Sequence, residues 1–142
     1  GHAALRALFC FELPARLLEL SIARPPASAL APRSRDRILE QARAWIAGTQ
    51  VEGLTVADLC RDIGVCERTV RRAFLEHYGV TPHDYLKARR LNRVYRELLR
   101  SDPTDSQVNS IANRWGFWHM GQFAKDYKKM FGELPSETLI QK

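Results

Sequence analysis

The segment GVCERTVRRAFLEHYGVTP, residues 64–82, is repeated at residues 116–135 as GFWHMGQFAKDYKKMFGELP, at an offset of 52 to 53 residues. The match continues upstream, where LCRDIGV at residues 59–65 corresponds to IANRWGF at residues 111–117. Each copy has apolar residues at helical spacing on both sides of a glycine, which predicts a short helix, a tight turn and a longer helix. The repeat therefore predicts two helix-turn-helix units in one chain.

The whole chain shows the same helical character as the repeat. It has 142 residues, 45% of them hydrophobic, and its apolar positions recur at helical spacing without the alternation typical of strands. We therefore expect an all-α fold of about seven helices, in which a long linker helix joins two helix-turn-helix subdomains. No apolar run is long enough to cross a membrane, so we expect a soluble globular protein.

The sequence divides into two parts with different composition. Residues 1–33 begin with apolar positions at helical spacing and end in the Pro- and Ala-rich RPPASALAPR. We interpret them as the helical C-terminal remnant of a preceding domain followed by a linker, with Gly1 and His2 as a tag remnant. Residues 34–142 form the second part, with a first unit at 34–80, a linker helix at 81–101 and a second unit at 102–142.

Turn and capping residues predict the helix boundaries in this second part. Ser34 is the expected N-cap of a helix that reaches about Ala47, and Thr55 the expected N-cap of the next one. The longer helices of the two copies are expected at about Glu67 to Tyr78 and Trp118 to Phe131, and a last short helix at Ser136 to Ile140. The linker helix has about twenty residues, which at a rise of ~1.5 Å each span about 30 Å. This length is close to the ~34 Å between successive major-groove faces of B-DNA.

Positive charge is concentrated in the middle of the sequence. Lys and Arg outnumber Asp and Glu by 22 to 16 overall, and residues 68–100 hold nine basic residues against three acidic ones. Such a field suits a polyanion such as DNA, although a solvated charged helix face would show the same composition.

The longer helix of the first copy predicts an exposed arginine face. Val70, Phe74 and Tyr78 recur at i, i+4 and i+8 and should face the core. Other core residues are expected from the shorter helix of each copy and from the helix before the first copy: Trp45, Leu59, Ile63, Ile111 and Trp115. The opposite face of the longer helix carries the candidate base-reading residues Arg68, Arg71 and Arg72, with Thr69 and Glu67 as weaker candidates. A guanidinium can donate two hydrogen bonds to the O6 and N7 of guanine, but these arginines could also bind phosphate or only solubilise the helix.

The second copy has the same apolar scaffold with a different polar face. Phe117, Phe123, Tyr127 and Met130 are the expected core, and Trp118 and Met120 are more typical of packing than of base contacts. We expect base or close backbone contacts from His119, Gly121, Gln122 and Lys125, and phosphate contacts from Lys128 and Lys129.

The sequence gives no indication of catalysis, metal binding or a bound cofactor. No nucleophile follows a strand in a strand-turn-helix elbow, and no glycine-rich phosphate loop is present. The four histidines lie far apart in sequence, so we expect no metal site. The cysteines Cys10, Cys60 and Cys66 form no CxxC pair, which fits a reduced cytoplasmic compartment rather than a disulfide scaffold.

Residues 34–140 resemble the DNA-binding domain of AraC/XylS-type bacterial transcription regulators. The family pattern of I-A, G-F, F-x-R-x-F-K, F-G and P corresponds to Ile111-Ala112, Trp115-Gly116-Phe117, Phe123, Lys125, Tyr127-Lys128, Phe131-Gly132 and Pro135-Ser136. Three positions depart from it: Lys125 stands where Arg is usual, Tyr127 replaces Phe, and Gly121 stands where Ser is frequent.

The resemblance implies sequence-specific binding to double-stranded DNA, with two recognition helices in adjacent major-groove segments. It also implies a nucleoid-associated cytoplasmic protein that contacts RNA polymerase as an activator, an upstream domain that binds an effector small molecule, and possible homodimerisation of the full-length protein. Two alternatives remain from the residues themselves, a nonspecific architectural DNA-binding protein and a helix-turn-helix module that binds another protein.

Overall fold

The computed structural model describes residues 31–49, 54–103 and 107–140, so the remnant and most of the linker predicted for residues 1–33 lie outside the described residues. The described residues contain seven helices and no strand, which confirms the all-α prediction. The helices are α1 Pro32–Gly48, α2 Val56–Ile63, α3 Glu67–Tyr78, α4 Pro82–Arg100, α5 Val108–Arg114, α6 Met120–Phe131 and α7 Pro135–Ile140. None of these helices is both long and apolar enough to span a lipid bilayer.

The first compact unit is built from α1, α2, α3 and the start of α4, and it ends at Leu86. Fully buried apolar side chains from these helices form its core: Leu39, Ala42, Ile46, Leu59, Val70, Ala73 and Phe74. The ring of Tyr85, on the first turns of α4, packs edge-on against Phe74 with 5.3 Å between the ring centroids. The beginning of the predicted linker helix therefore contributes to this core.

The second compact unit contains the rest of α4 together with α5, α6 and α7. Its core combines Leu91, Val94 and Leu98 of α4 with Ile111, Ala112, Phe123, Tyr127, Met130 and Leu139. Tyr95 stacks on Phe131 with 4.6 Å between centroids. The hydroxyl of Tyr127 donates to Thr138 Oγ1 at 2.9 Å. Burial of the Tyr127 side chain raises the pKa of its hydroxyl.

The sequence repeat is also a repeat of backbone conformation. Gly64 and Gly116 follow the first helix of each copy with φ angles of 68° and 78°. Gly79 and Gly132 end α3 and α6 with φ angles of 69° and 85°. A side chain with a Cβ is rarely found at such angles, so the four glycines fix where each helix ends.

Three predicted helix starts are wrong. Ser34 is not an N-cap, because α1 begins at Pro32 with Ala31 at the cap and no side-chain cap hydrogen bond. Proline favours the first turn of a helix, since its φ is preset and it has no N–H group that would lack a partner there. Likewise, α6 begins at Met120 instead of Trp118, and α7 begins at Pro135 instead of Ser136.

The tryptophans predicted to be core residues are only half-buried. The indole of Trp45 donates to the Asp62 carboxylate at 2.7 Å, and the indole of Trp115 donates to Glu97 at 2.6 Å. An indole N–H usually finds an acceptor when its ring is buried, and here the acceptors are carboxylates at the surface of each unit. Ile63 and Tyr78, also predicted as core, are half-buried as well.

Thr55 provides a test of the capping assignments. Its hydroxyl accepts from the backbone N–H of Asp58 at 3.2 Å, while the Asp58 carboxylate accepts from the Thr55 N–H at 3.1 Å. Thr55→Ala should lower the free energy of unfolding by about 1 kcal/mol, because one helix N–H loses its partner. Ser34→Ala removes a hydroxyl outside any cap, so its free energy of unfolding should stay within about 0.5 kcal/mol of the wild-type value. Urea denaturation measures both variants. Equal losses in the two variants would contradict the assignment.

Candidate nucleic-acid interface

The first candidate surface lies on the side of α3 opposite its buried residues. Val70 and Phe74 are buried in the core, while Arg68 and Arg71 are exposed. Thr69 is half-buried, and its hydroxyl lies 3.0 Å from the Sγ of Cys66 at the N-cap of α3. This contact lowers the pKa of the Cys66 thiol. Of the three predicted arginines, Arg68 and Arg71 are therefore the more exposed.

Arg72 differs from the other two arginines because it is paired within its own helix. Its Nε donates to the carboxylate of Glu76 at 2.9 Å, and the Glu76 side chain is only 8% exposed. A pair at i and i+4 on a helix holds the guanidinium in one orientation. The contact does not use the terminal amino groups of Arg72, which are the groups that reach a guanine edge or a phosphate.

The second candidate surface lies on α6. The predicted residues there are all exposed: His119, Gly121, Gln122, Lys125, Lys128 and Lys129. The last five fall on one side of the helix, opposite buried Phe123, Tyr127 and Met130. His119 is the N-cap of α6, and its carbonyl accepts from the Phe123 N–H at 2.9 Å.

Asp126 organises the polar groups on this side of α6 and was missed at the level of sequence. Its carboxylate accepts from the Gln122 amide at 3.1 Å and pairs with Lys87 of α4 at 3.4 Å. The i, i+4 spacing of Gln122 and Asp126 could have indicated the first contact. The second could not be predicted, because it joins residues 39 positions apart.

The turn before α6 holds two aromatic residues in opposite environments. Phe117 is buried, with its ring 5.1 Å from that of Phe123 and the Arg90 guanidinium 5.1 Å from its centroid. Burial lowers the pKa of Arg90, which is therefore partly a packing residue and not a fully exposed member of the basic cluster. Trp118 is 72% exposed, so the interpretation of Trp118 as a packing residue is wrong.

Comparison with known proteins shows which protein family this chain resembles. The family model for the helix-turn-helix domain matches residues 59–141. Over 86 residues the chain is 45% identical to a probable thc operon regulatory protein of Rhodococcus erythropolis, a match that covers 61% of this chain and 26% of that protein. Over 74 residues it is 38% identical to the XylDLEGF operon transcriptional activator of Pseudomonas putida, covering 52% and 23% of the two chains. The chain thus matches about a quarter of the length of these relatives.

One solved structure has the same fold over most of the chain. A Listeria innocua protein described as having unknown function superimposes with a TM-score of 0.62 at 25% sequence identity. The match covers 72% of this chain and 94% of that one.

Proposed function

Because this chain belongs to the AraC/XylS family of helix-turn-helix DNA-binding transcription regulators, we propose that it recognises specific promoter sequences with α3 and α6 in adjacent major-groove segments. The observation that carries this proposal is the exposed pair Arg68 and Arg71, on the face of α3 opposite buried Val70 and Phe74. Arginines on the first turns of a recognition helix are suited to guanine edges. The 19 residues of α4, with a rise of about 28 Å, support contacts one groove turn apart.

The two recognition helices have different contributions in this proposal. Arg68, Thr69, Arg71 and Arg72 supply most of the direct base recognition at α3. His119, Gly121, Gln122 and Lys125 set the register and add a weaker preference at α6. Lys128 and Lys129, nearer the C-terminal end of α6, bind phosphates, which raises affinity for every sequence alike.

The proposed functions other than DNA binding are based on the relatives of this chain. The chain matches 23% of the length of a relative whose name describes an operon transcriptional activator. We propose that residues 34–142 are the DNA-binding domain of an activator that contacts RNA polymerase, and that residues 1–33 link it to a regulatory domain. That domain would bind an effector small molecule and form homodimers in the cytoplasm.

A nonspecific architectural function is the second candidate, favoured by the charge on α4. Four arginines recur there at i, i+4, i+7 and i+11 on the side away from buried Leu91, Val94 and Leu98: Arg89, Arg93, Arg96 and Arg100. A basic helix face of this kind binds phosphates in any sequence.

Competition binding separates the two functions. A duplex selected by the protein from a random-sequence pool is labelled, bound, and challenged with unlabelled selected or random duplex at fixed salt. Specific binding predicts that the selected competitor displaces the label at a concentration at least about 1000-fold lower than random DNA. Equal displacement by both competitors would leave only the architectural function.

Gly121 offers a further prediction, because nothing in the protein requires glycine there. A Cβ built at this position meets no atom within 4 Å, and the residue lies in the first turn of α6. Gly121→Ala should therefore raise the free energy of unfolding by about 0.5–1 kcal/mol. If the backbone of α6 closely approaches DNA, the same change should weaken binding of the selected duplex roughly tenfold, about 1.4 kcal/mol.

The control for this variant is Gly48→Ala, at the end of α1, where a Cβ also meets no atom within 4 Å. That substitution should leave DNA binding unchanged. Tight binding of the selected duplex by Gly121→Ala would show that Gly121 is not a contact residue.

A further inference from the structure

Trp118 is an exposed aromatic residue just before the N-terminus of α6. The N-terminal end of a recognition helix is the end that faces the bases. Three other large hydrophobic side chains are exposed among the described residues: Leu75 at 43%, Leu99 at 42% and Ile140 at 70%. Each of these lies in the later part of its helix. Trp118 instead precedes the first residue of α6 by two positions and is 72% exposed. Single exposed apolar residues are common, so its position carries more weight than its exposure.

The residues on both sides of Trp118 are fixed, which holds its backbone in place. The N–H of Phe117 donates to the Ala112 carbonyl at 3.0 Å, and the Phe117 ring is buried between Phe123 and the guanidinium of Arg90. On the other side, His119 caps α6 through the Phe123 N–H. Since Phe117 points into the core and the backbone at His119 is extended, Trp118 is directed to the outside.

The charge around Trp118 favours DNA over an apolar protein groove as the molecule that covers it. The exposed side of α6 carries Lys125, Lys128 and Lys129. The acidic residue on this helix, Asp126, is already paired with Lys87. A positive helix face with an exposed aromatic at its N-terminal end matches a duplex, whose phosphates are negative and whose bases offer one apolar group in the major groove.

That apolar group is the 5-methyl of thymine. The α6 surface has no arginine to read guanine, and the Gln122 amide donates one of its two N–H groups to Asp126. We propose that Trp118 contacts a thymine 5-methyl group in the major groove and that this apolar contact adds a preference for thymine to the polar contacts of the second unit. The proposal rests on the proposed function and adds a residue and a base to it.

The test uses the full chain and a duplex selected from a random-sequence pool by the wild-type protein. Each thymine is replaced in turn by uracil, which removes the methyl group and leaves the hydrogen-bonding edge unchanged. Loss of one buried methyl at about 0.8 kcal/mol should weaken wild-type binding about fourfold at one position. Trp118→Ala should weaken binding of the unsubstituted duplex by at least about tenfold, and uracil at that position should then have no further effect.

Ile140→Ala is the matched control, because it also removes an exposed apolar side chain and should change neither measurement. The proposal is overturned if no uracil weakens wild-type binding, if Trp118→Ala binds the selected duplex as wild type does, or if the uracil effect is as large in Trp118→Ala as in wild type. Normal DNA binding by Trp118→Ala combined with lost promoter activation would assign the residue to a protein partner instead.

These outcomes are distinguishable from a failure of the proposed function. If the wild-type protein does not discriminate the selected duplex from random DNA, sequence-specific binding itself is excluded. If it discriminates but shows no uracil effect, only the role of Trp118 is excluded. The uracil scan on wild-type protein needs no variant, so it stays decisive even if a substitution disturbs the fold.

Discussion

Replacing Arg71 with alanine should weaken binding of the selected duplex by about 5- to 150-fold, which corresponds to ~1–3 kcal/mol for one good base contact. Arg71 is exposed on α3, and no hydrogen bond or ion pair within the described residues holds its side chain. Its guanidinium is therefore available to the O6 and N7 of a guanine. Binding to random duplex should fall much less, because only the general electrostatic contribution of one charge is lost.

Lys129→Ala is the control for this prediction, since it also removes one exposed positive charge. As a phosphate contact, Lys129 should contribute equally to all sequences, and its loss should reduce the slope of log K against log salt by about 1. Titrations of both variants at several salt concentrations measure the two effects. Losses of equal size on selected and random duplex for Arg71→Ala would mean that Arg71 binds phosphate.

Arg72→Ala should follow Arg71→Ala in direction, with a complication that the structure introduces. The Arg72 side chain is held by Glu76, so its removal leaves a carboxylate that is only 8% exposed without this partner. Part of any loss in binding would then reflect a less stable α3. Arg71 is the cleaner position, because its removal does not disturb a contact inside the helix.

The largest effect on stability is expected from Phe74→Ala. Phe74 is 1% exposed in the core of the first unit, and its ring contacts those of Tyr78 and Tyr85. Truncation removes most of the buried ring and leaves a cavity, which should lower the free energy of unfolding by about 3–5 kcal/mol. Urea denaturation, monitored by circular dichroism, measures this loss in the free energy of unfolding.

The control for Phe74→Ala is Leu75→Ala, one residue further along the same helix. Leu75 is 43% exposed, so its truncation removes a side chain from solvent rather than from the core. Its expected cost is within about 0.5 kcal/mol. A similar cost for both variants would contradict the assignment of the α3 core face, and with it the assignment of the opposite face to DNA.

Helix ends set by glycine or by a capping box could be predicted from the sequence. α3 has the predicted bounds, Glu67 to Tyr78, because Gly64 and Gly79 adopt positive φ angles on either side of it. α2 begins where Thr55 and Asp58 form their reciprocal hydrogen bonds. In these cases the residue type itself restricts the backbone, so a local pattern is enough.

The errors arose where two local signals competed or where a contact joined distant residues. At α1, Pro32 and Ser34 are both residues that favour a helix start, and the proline position prevailed. Before α6, both Phe117 and Trp118 were interpreted as packing residues, but only Phe117 is buried. The carboxylates that accept from Trp45 and Trp115 lie 17 and 18 residues away, so sequence periodicity could not indicate them.

The exposure of the candidate site residues could be predicted wherever the sequence showed which face of a helix is buried. Arg68 and Arg71 are exposed because Val70 and Phe74 must be buried, and that follows from the i, i+4 pattern. Glu76 orients Arg72 and Asp126 orients Gln122, each through an i, i+4 contact. The sequence shows this spacing, but it shows many other i, i+4 pairs on charged helices as well, so spacing alone could not show which pairs form. These two contacts decide which donors remain for DNA.

One measurement tests most directly whether α3 reads bases. In the selected duplex each guanine is replaced in turn by 7-deazaguanine, which removes the N7 acceptor and keeps Watson–Crick pairing. Base reading by Arg71 predicts that one such replacement weakens wild-type binding by about 1 kcal/mol or more, and that Arg71→Ala is insensitive to the same replacement. An equal loss in wild type and Arg71→Ala at every guanine would contradict the account.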